Sequence, residues 1–174
     1  MSLGTNIELK ARCGDLALAE AVCRRLGAHF QWTRRQTDTY FAVPSGRLKL
    51  RVEEPGGAVL VEYHRPDQAG ARESRYRLTP VEDPEATEAE LAARHGVLAR
   101  VVKTRSLYLL ENIRIHLDRV EGLGEFIEFE AVIADGDDEA RSRERLEELI
   151  AEFAIAPGEI CPGSYADVVP RGPA

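Results

Sequence analysis

Apolar and charged residues alternate one for one along several stretches of this chain. Ile7, Leu9 and Ala11 interleave Glu8, Lys10 and Arg12; Leu48, Leu50 and Val52 interleave Arg47, Lys49, Arg51 and Glu53; Ile127, Phe129 and Ala131 interleave Glu128 and Glu130. The same period holds for Lys103 and Arg105 and for Arg114, His116 and Asp118. A period of two is that of a β-strand, whose successive side chains point to opposite faces. Each stretch therefore predicts a strand with one apolar and one ionic face.

Turn and cap signals place the elements between and around these runs. Thr5 to Cys13 reads as the first strand; Asp15 then caps a helix with Leu16, Ala19, Val22, Cys23 and Leu26 at helical spacing, stopped by Gly27. Phe30 to Val43, Arg47 to Glu54 and Ala58 to Arg65 form a meander turned at Pro44-Ser45-Gly46 and Pro55-Gly56-Gly57. A polar loop from Pro66 to Ala71 leads into a strand over Arg72 to Val81, with Ser74, Tyr76 and Leu78 on one side and Glu73, Arg75 and Arg77 on the other. A helix over Pro84 to Gly96 follows, with acids in its first turn that suit the helix dipole. Val97 to Leu110 and Ile113 to Val120 make a hairpin, Glu125 to Ala134 a further strand, and Asp137 to Phe153 a helix before a short tail from Pro157.

About eight strands joined mostly by hairpins are enough to close a barrel, and helices outside it would cover the apolar positions. The fold class expected is α+β: a closed antiparallel β-barrel with helices packed outside. Alternation by itself leaves open whether the ionic faces meet water or the lumen. The ionic slots hold dense groups of acids (Glu8, Asp118, Glu128, Glu130) and bases (Lys10, Lys49, Arg51, Lys103, Arg105). Turned inward, these groups would form a site for a metal-bound polyanion.

Composition narrows the partners. At 174 residues the chain suits one domain, taken as 5–170 with 1–3 as a possible expression scar and 171–174 as a tail, and its net charge of −7 argues against a nucleic-acid or anionic-membrane binder. Cys13, Cys23 and Cys161 are an odd count without metal-ligand spacing, and the chain shows neither an apolar span nor a signal-peptide pattern. A cytoplasmic protein with reduced thiols is the expectation.

Asn6-Ile7-Glu8-Leu9-Lys10, Gln36-Thr37-Asp38-Thr39-Tyr40-Phe41, the pairs Lys49/Arg51 and Lys103/Arg105, and Ile115-His116-Leu117-Asp118 continuing through Gly122-Leu123-Gly124 to Glu128-Phe129-Glu130 resemble, in order and parity, the CYTH superfamily. These triphosphate-tunnel enzymes include class IV adenylate cyclases and thiamine triphosphatases. The resemblance runs from Asn6 to about Val169 and takes in Ser164-Tyr165-Ala166-Asp167. The family's opening motif is Glu-x-Glu-x-Lys, so Asn6 stands where its first acid would be.

The resemblance implies a barrel with its ionic faces inward. It implies that Glu8, Asp118, Glu128 and Glu130 hold Mg²⁺ or Mn²⁺, and that Lys10, Lys49, Arg51, Lys103 and Arg105 grip a triphosphate, with Lys10, Arg51 and Arg105 closest to the chemistry. Arg65 joins them on a strand where the family often carries a lysine near Tyr63. Glu53, Arg12 and Arg114 read as charge-balancing partners, His116 as a satisfied histidine, and Trp32, Tyr40 and Tyr108 as packing residues. The stretch Leu60 to Asp67 with Arg72 to Tyr76 resembles the class IV cyclase branch, which implies conversion of ATP to cyclic AMP and pyrophosphate and suggests a homodimer. Release of phosphate from a triphosphate, or binding of polyphosphate or nucleotide without turnover, are the alternatives.

Overall fold

The alternating runs pair in register around a closed ring. In the computed structural model, which describes residues 2–66, 70–134 and 138–168, the elements follow as β1 (Ser2–Arg12), α1 (Leu16–Arg25), β2 (His29–Phe41), β3 (Arg47–Glu54), β4 (Ala58–His64), β5 (Arg72–Val81), α2 (Pro84–His95), β6 (Val97–Leu110), β7 (Ile113–Val120), β8 (Gly124–Ile133), α3 (Glu139–Glu152) and a short α4 (Tyr165–Val168). The strands close into an antiparallel barrel in the order β1-β5-β4-β3-β2-β6-β7-β8. β1 completes the ring, with β5 on one side and β8 on the other, so the sheet has no free edge.

The apolar faces point outward and the helices bury them. Ile7, Leu9, Ile115, Leu117, Ile127 and Phe129 pack with Ala19 and Cys23 of α1 and Leu146 and Leu149 of α3. On the far side Phe41, Leu48 and Leu50 pack under Leu91 and Ala92 of α2. The barrel thus inverts the usual small one, whose apolar side chains fill the interior. Asp15 caps α1 by accepting from the amides of Ala17 at 2.8 Å and Leu18 at 3.1 Å. Gly27 ends it with φ +77°, a conformation that glycine adopts at no steric cost.

Two expectations change. The first strand begins at Ser2 rather than Thr5, because Ser2, Leu3 and Gly4 pair with Leu78, Arg77 and Tyr76 of β5. The segment after Pro157 is more than a tail: Ile160 bridges to Ala11, the Cys161 amide donates to the Lys10 carbonyl at 2.8 Å, and α4 turns in against one end of the barrel. There Tyr165 joins Tyr40, Val101, Val120 and Phe126 in a buried apolar floor. The helix start at Asp137, residues 67–69 of the polar loop, Val169, the tail 171–174 and Met1 lie outside the described residues. Among the described residues no helix is long and apolar enough to cross a membrane, and the three cysteines are unbridged.

Candidate functional site

Because strand parity is fixed, the ionic residues of the alternating runs face the barrel interior, where they line a cavity of about 420 Å³. Lys10, Lys49, Arg51, Arg65, Lys103, Arg105 and Arg114 line it, against the carboxylates of Glu8, Glu53, Glu128 and Glu130. A chain with a net charge of −7 thus encloses a cation-rich lumen.

Asp38 organises one wall. Register sets it opposite Arg51 on β3, with Lys49 one inward position along that strand; on β6, Lys103 lies opposite Gln36. Its carboxylate accepts from Arg51 Nε at 2.7 Å and Nη2 at 2.8 Å, from Lys49 Nζ at 3.0 Å and from Lys103 Nζ at 2.9 Å. Burial opposes the charge on Asp38, but Arg51, Lys103 and Lys49 outweigh it and hold the carboxyl well below its usual range. Burial pulls Lys103 down to about 7, with Arg51 and Arg105 adding repulsion against the attraction of Asp38. Burial and Arg51 likewise bring Lys49 to about 8. Two ammonium groups are therefore held close to losing their protons, a state that an incoming polyanion would relieve.

The adjoining wall is built on Arg105, two residues along β6 from Lys103 and opposite Asp118 in the ladder. The guanidinium forks onto Asp118 at 2.7 and 2.6 Å and reaches Glu128 Oε2 at 2.7 Å. The Tyr165 hydroxyl donates to Asp118 at 2.7 Å, while Lys10 Nζ lies 3.4 Å from Glu128 and 4.0 Å above the Tyr165 ring. Burial raises the Asp118 carboxyl, yet Arg105 brings it down to about 2. Glu128 is likewise held well below its ordinary value, its burial outweighed by Lys10, Arg105 and His116.

Glu8 sits between Arg65 and Arg72, both of which donate to its Oε1. Arg72 also clamps the C-terminal segment by donating to the carbonyls of Cys161 at 3.3 Å, Pro162 at 2.5 Å and Gly163 at 3.4 Å. Glu130 lies near Arg114 and His116. Among the described residues, the donor atoms that converge closely enough to share a cation come from His116, Glu128 and Glu130, all within 4.8 Å of one another. The buried Asn6 Oδ1, which lines the same cavity, has no hydrogen-bond partner among the described residues. These residues fit a divalent ion: two carboxylates, a ring nitrogen and an unspent amide oxygen face one space.

A model of the CYTH domain matches residues 4–165. The chain belongs to the CYTH family. It is 25% identical over 170 residues to the Methanocaldococcus jannaschii protein named "Putative adenylate cyclase MJ0240", covering 93% of this chain and 97% of that one. Among solved structures, the PH1012 protein of Pyrococcus horikoshii superposes with a TM-score of 0.83 at 26% identity, over 94% of this chain and 99% of that one. A Hippeastrum protein described as a "Putative adenylyl cyclase" with a dominant triphosphatase activity has the same fold, with a TM-score of 0.66 at 18% identity over 94% of each chain.

In this CYTH barrel every residue expected to hold metal or phosphate faces the lumen or lies against a residue that does. Lys10, Lys49, Arg51, Arg65, Lys103, Arg105, Glu8, Glu128 and Glu130 line the cavity, and Asp118 lies behind Arg105. The four acids do not form one cluster: Glu8 is held by Arg65 and Arg72 and Asp118 by Arg105, whereas Glu128, which also meets Arg105 and Lys10, lies beside Glu130 and His116. Trp32, expected to pack, lines the cavity instead; Tyr40 lines it too but also packs in the apolar floor, and Tyr108 is in the outer core, as expected of packing residues. Glu53 balances Arg34 and Gln36, and Arg114 pairs with Glu130, as expected of charge partners. Arg12 instead reaches the Leu123 carbonyl and the Phe126 ring. Asp38, Arg72 and Tyr165 lie in motifs that carry the resemblance but were given no role from sequence. The parity shared by Gln36, Asp38 and Tyr40 was the signal for Asp38.

Proposed function

We propose that this protein is a divalent-metal-dependent enzyme that acts on an organic triphosphate inside the barrel, most like a class IV adenylate cyclase that converts ATP to cyclic AMP and pyrophosphate. The observation that carries this reading is the divided lumen: Lys49, Arg51 and Lys103 converge on Asp38 on one wall and face carboxylates across the cavity. Such an array matches a chain of phosphates whose charge must be met at several points. Trp32, Val59, Leu78 and Leu107 line the same cavity and supply apolar surface for a non-phosphate end.

In this reaction the ribose 3′-hydroxyl gives up its proton as its oxygen attacks the α-phosphorus, the bond from that phosphorus to the α,β-bridging oxygen breaks, and pyrophosphate departs with its new terminal oxygen able to take up the proton. Arg51 and Arg105, whose Nε and Nη2 edges are held by Asp38 and Asp118, would meet with their outer Nη hydrogens the oxygens whose charge grows as the leaving group separates, and Lys10, Lys49 and Lys103 would act as point charges along it. Asp38 and Asp118 position these donors in advance, so little reorganisation is needed when the charge develops. A divalent ion held by Glu128 and Glu130 would neutralise phosphate charge and polarise the phosphorus.

Release of inorganic phosphate is the second reading, kept because the Hippeastrum neighbour of the same fold is described with a dominant triphosphatase activity. Incubation with ATP, tripolyphosphate or thiamine triphosphate plus Mn²⁺, followed by separation of the products, tests both. Cyclic AMP with pyrophosphate is the expected outcome, phosphate release selects hydrolysis, and binding without turnover makes the barrel a polyphosphate or nucleotide sensor. Failure to bind any of the three refutes the proposal.

A further inference from the structure

Four carboxylates were expected to hold the ion, but the side chains divide differently. Glu8 is committed to Arg65 and Arg72, and Asp118 to Arg105 and Tyr165. The remaining acids, Glu128 and Glu130, share their space with an imidazole: His116 Nδ1 lies 3.4 Å from Glu128 Oε2 and 3.9 Å from Glu130 Oε1. Register enforces this, because His116 pairs with Glu128 across β7 and β8, and Glu130 is the next inward position. Donor atoms around a six-coordinate ion with bonds near 2.1 Å sit about 3 Å apart, so small rotations bring these three to a common centre. Arg105 keeps both bonds to Asp118 when Glu128 Oε2 turns to a cation.

An independent observation points to the same space. Asn6, only 4% exposed, carries an Oδ1 without a partner among the described residues. Its neighbour on the inward face, Glu8, pairs with Glu130, which makes Asn6 a diagonal neighbour of Glu130 across β1 and β8. A buried carbonyl oxygen left unsatisfied is costly, and an amide oxygen is a neutral ligand.

We infer that the cation site of this tunnel is a mixed nitrogen and oxygen site, built from His116 Nδ1, Glu128 and Glu130 beside the Asn6 amide, and that it selects a first-row transition ion over Mg²⁺. The inference rests on the reading of the barrel as metal-dependent and specifies which donors hold the ion. Imidazole is a borderline donor that suits Fe²⁺, Ni²⁺, Cu²⁺ and Zn²⁺ best and Mg²⁺ poorly; Mn²⁺, the hardest of the first-row ions, is the weakest of them at such a site and so the most stringent probe. Asn6 in place of an acid removes the charge that would have favoured the harder ion.

The test uses Mn²⁺ as the probe, titrated into the whole protein with and without tripolyphosphate. Free Mn²⁺ is followed by electron paramagnetic resonance, and pulsed spectra are recorded for coupling to ¹⁴N. The expected result is nitrogen coupling in at least one of the two conditions, with Mn²⁺ displaced only by Mg²⁺ in roughly a hundredfold excess or more. His116→Gln and His116→Ala should abolish the coupling and weaken Mn²⁺ at least about tenfold, with folding checked by circular dichroism. Bound Mn²⁺ without nitrogen coupling in both conditions, equal affinity for Mg²⁺, unchanged binding in the variants, or no Mn²⁺ binding would each overturn the inference. Calorimetry of tripolyphosphate in the presence of EDTA reports separately on the phosphate reading, so a failed metal site and a failed polyanion site give different results.

Discussion

Asp38 is a fully buried carboxylate that faces three cations, and its replacement isolates its contribution. Asp38→Asn keeps the shape but leaves Lys49, Arg51 and Lys103 in the interior without their counter-charge. Breaking a buried ionic cluster on one side costs about 3–5 kcal/mol. Urea denaturation should show that loss, and tripolyphosphate should raise the melting temperature of the variant more than that of the wild type, because the ligand supplies the missing negative charge. Lys103 and Lys49, brought to about 7 and about 8 in the free barrel, predict the pH response. A bound polyanion raises both values, so binding takes up protons between the free and bound values. For ATP, whose terminal phosphate has lost its proton by pH 8, affinity should fall as pH rises from about 7 past 8, as Lys103 and then Lys49 give up their protons in the free barrel. Calorimetry in buffers of different ionisation enthalpy measures the uptake directly, and an uptake of zero at pH 8 would refute this coupling. Asp38 escaped the sequence reading because a lone acid among threonines makes no charged stripe. Arg72 escaped because its strand carries arginines on both faces.

At the level of elements, strand existence and the side of each ionic residue were legible because a two-residue period leaves no freedom once one face must be buried. Whether the ionic side was lumen or surface was not, since both choices satisfy the same alternation; the resemblance of motifs decided it. The C-terminal segment was the least legible part. Four residues are too few to show helical periodicity, and nothing local tells that Tyr165 reaches Asp118 across the barrel end. Its contribution can be measured: Tyr165→Phe removes one hydrogen bond to a buried carboxylate and should lower stability by about 1.5–3 kcal/mol. Equilibrium unfolding checks the figure, and a change under about 0.5 kcal/mol would mean that the hydroxyl is not engaged in solution.

For the whole molecule, the net charge of −7 is an average that hides an interior where basic and acidic side chains share one cavity, so it says little about the charge a ligand would meet there. Tyr40, Val101, Val120, Phe126 and Tyr165 pack as an apolar floor at one end of the barrel, beside the C-terminal segment whose carbonyls Arg72 clamps. If that floor keeps solutes from passing, traffic uses one doorway and whatever is lodged deepest departs last. For a cyclase this makes the nucleotide product leave first and pyrophosphate second. Steady-state inhibition should then show pyrophosphate competing with ATP and cyclic AMP acting noncompetitively, and the reverse pattern would mean that traffic passes through the base.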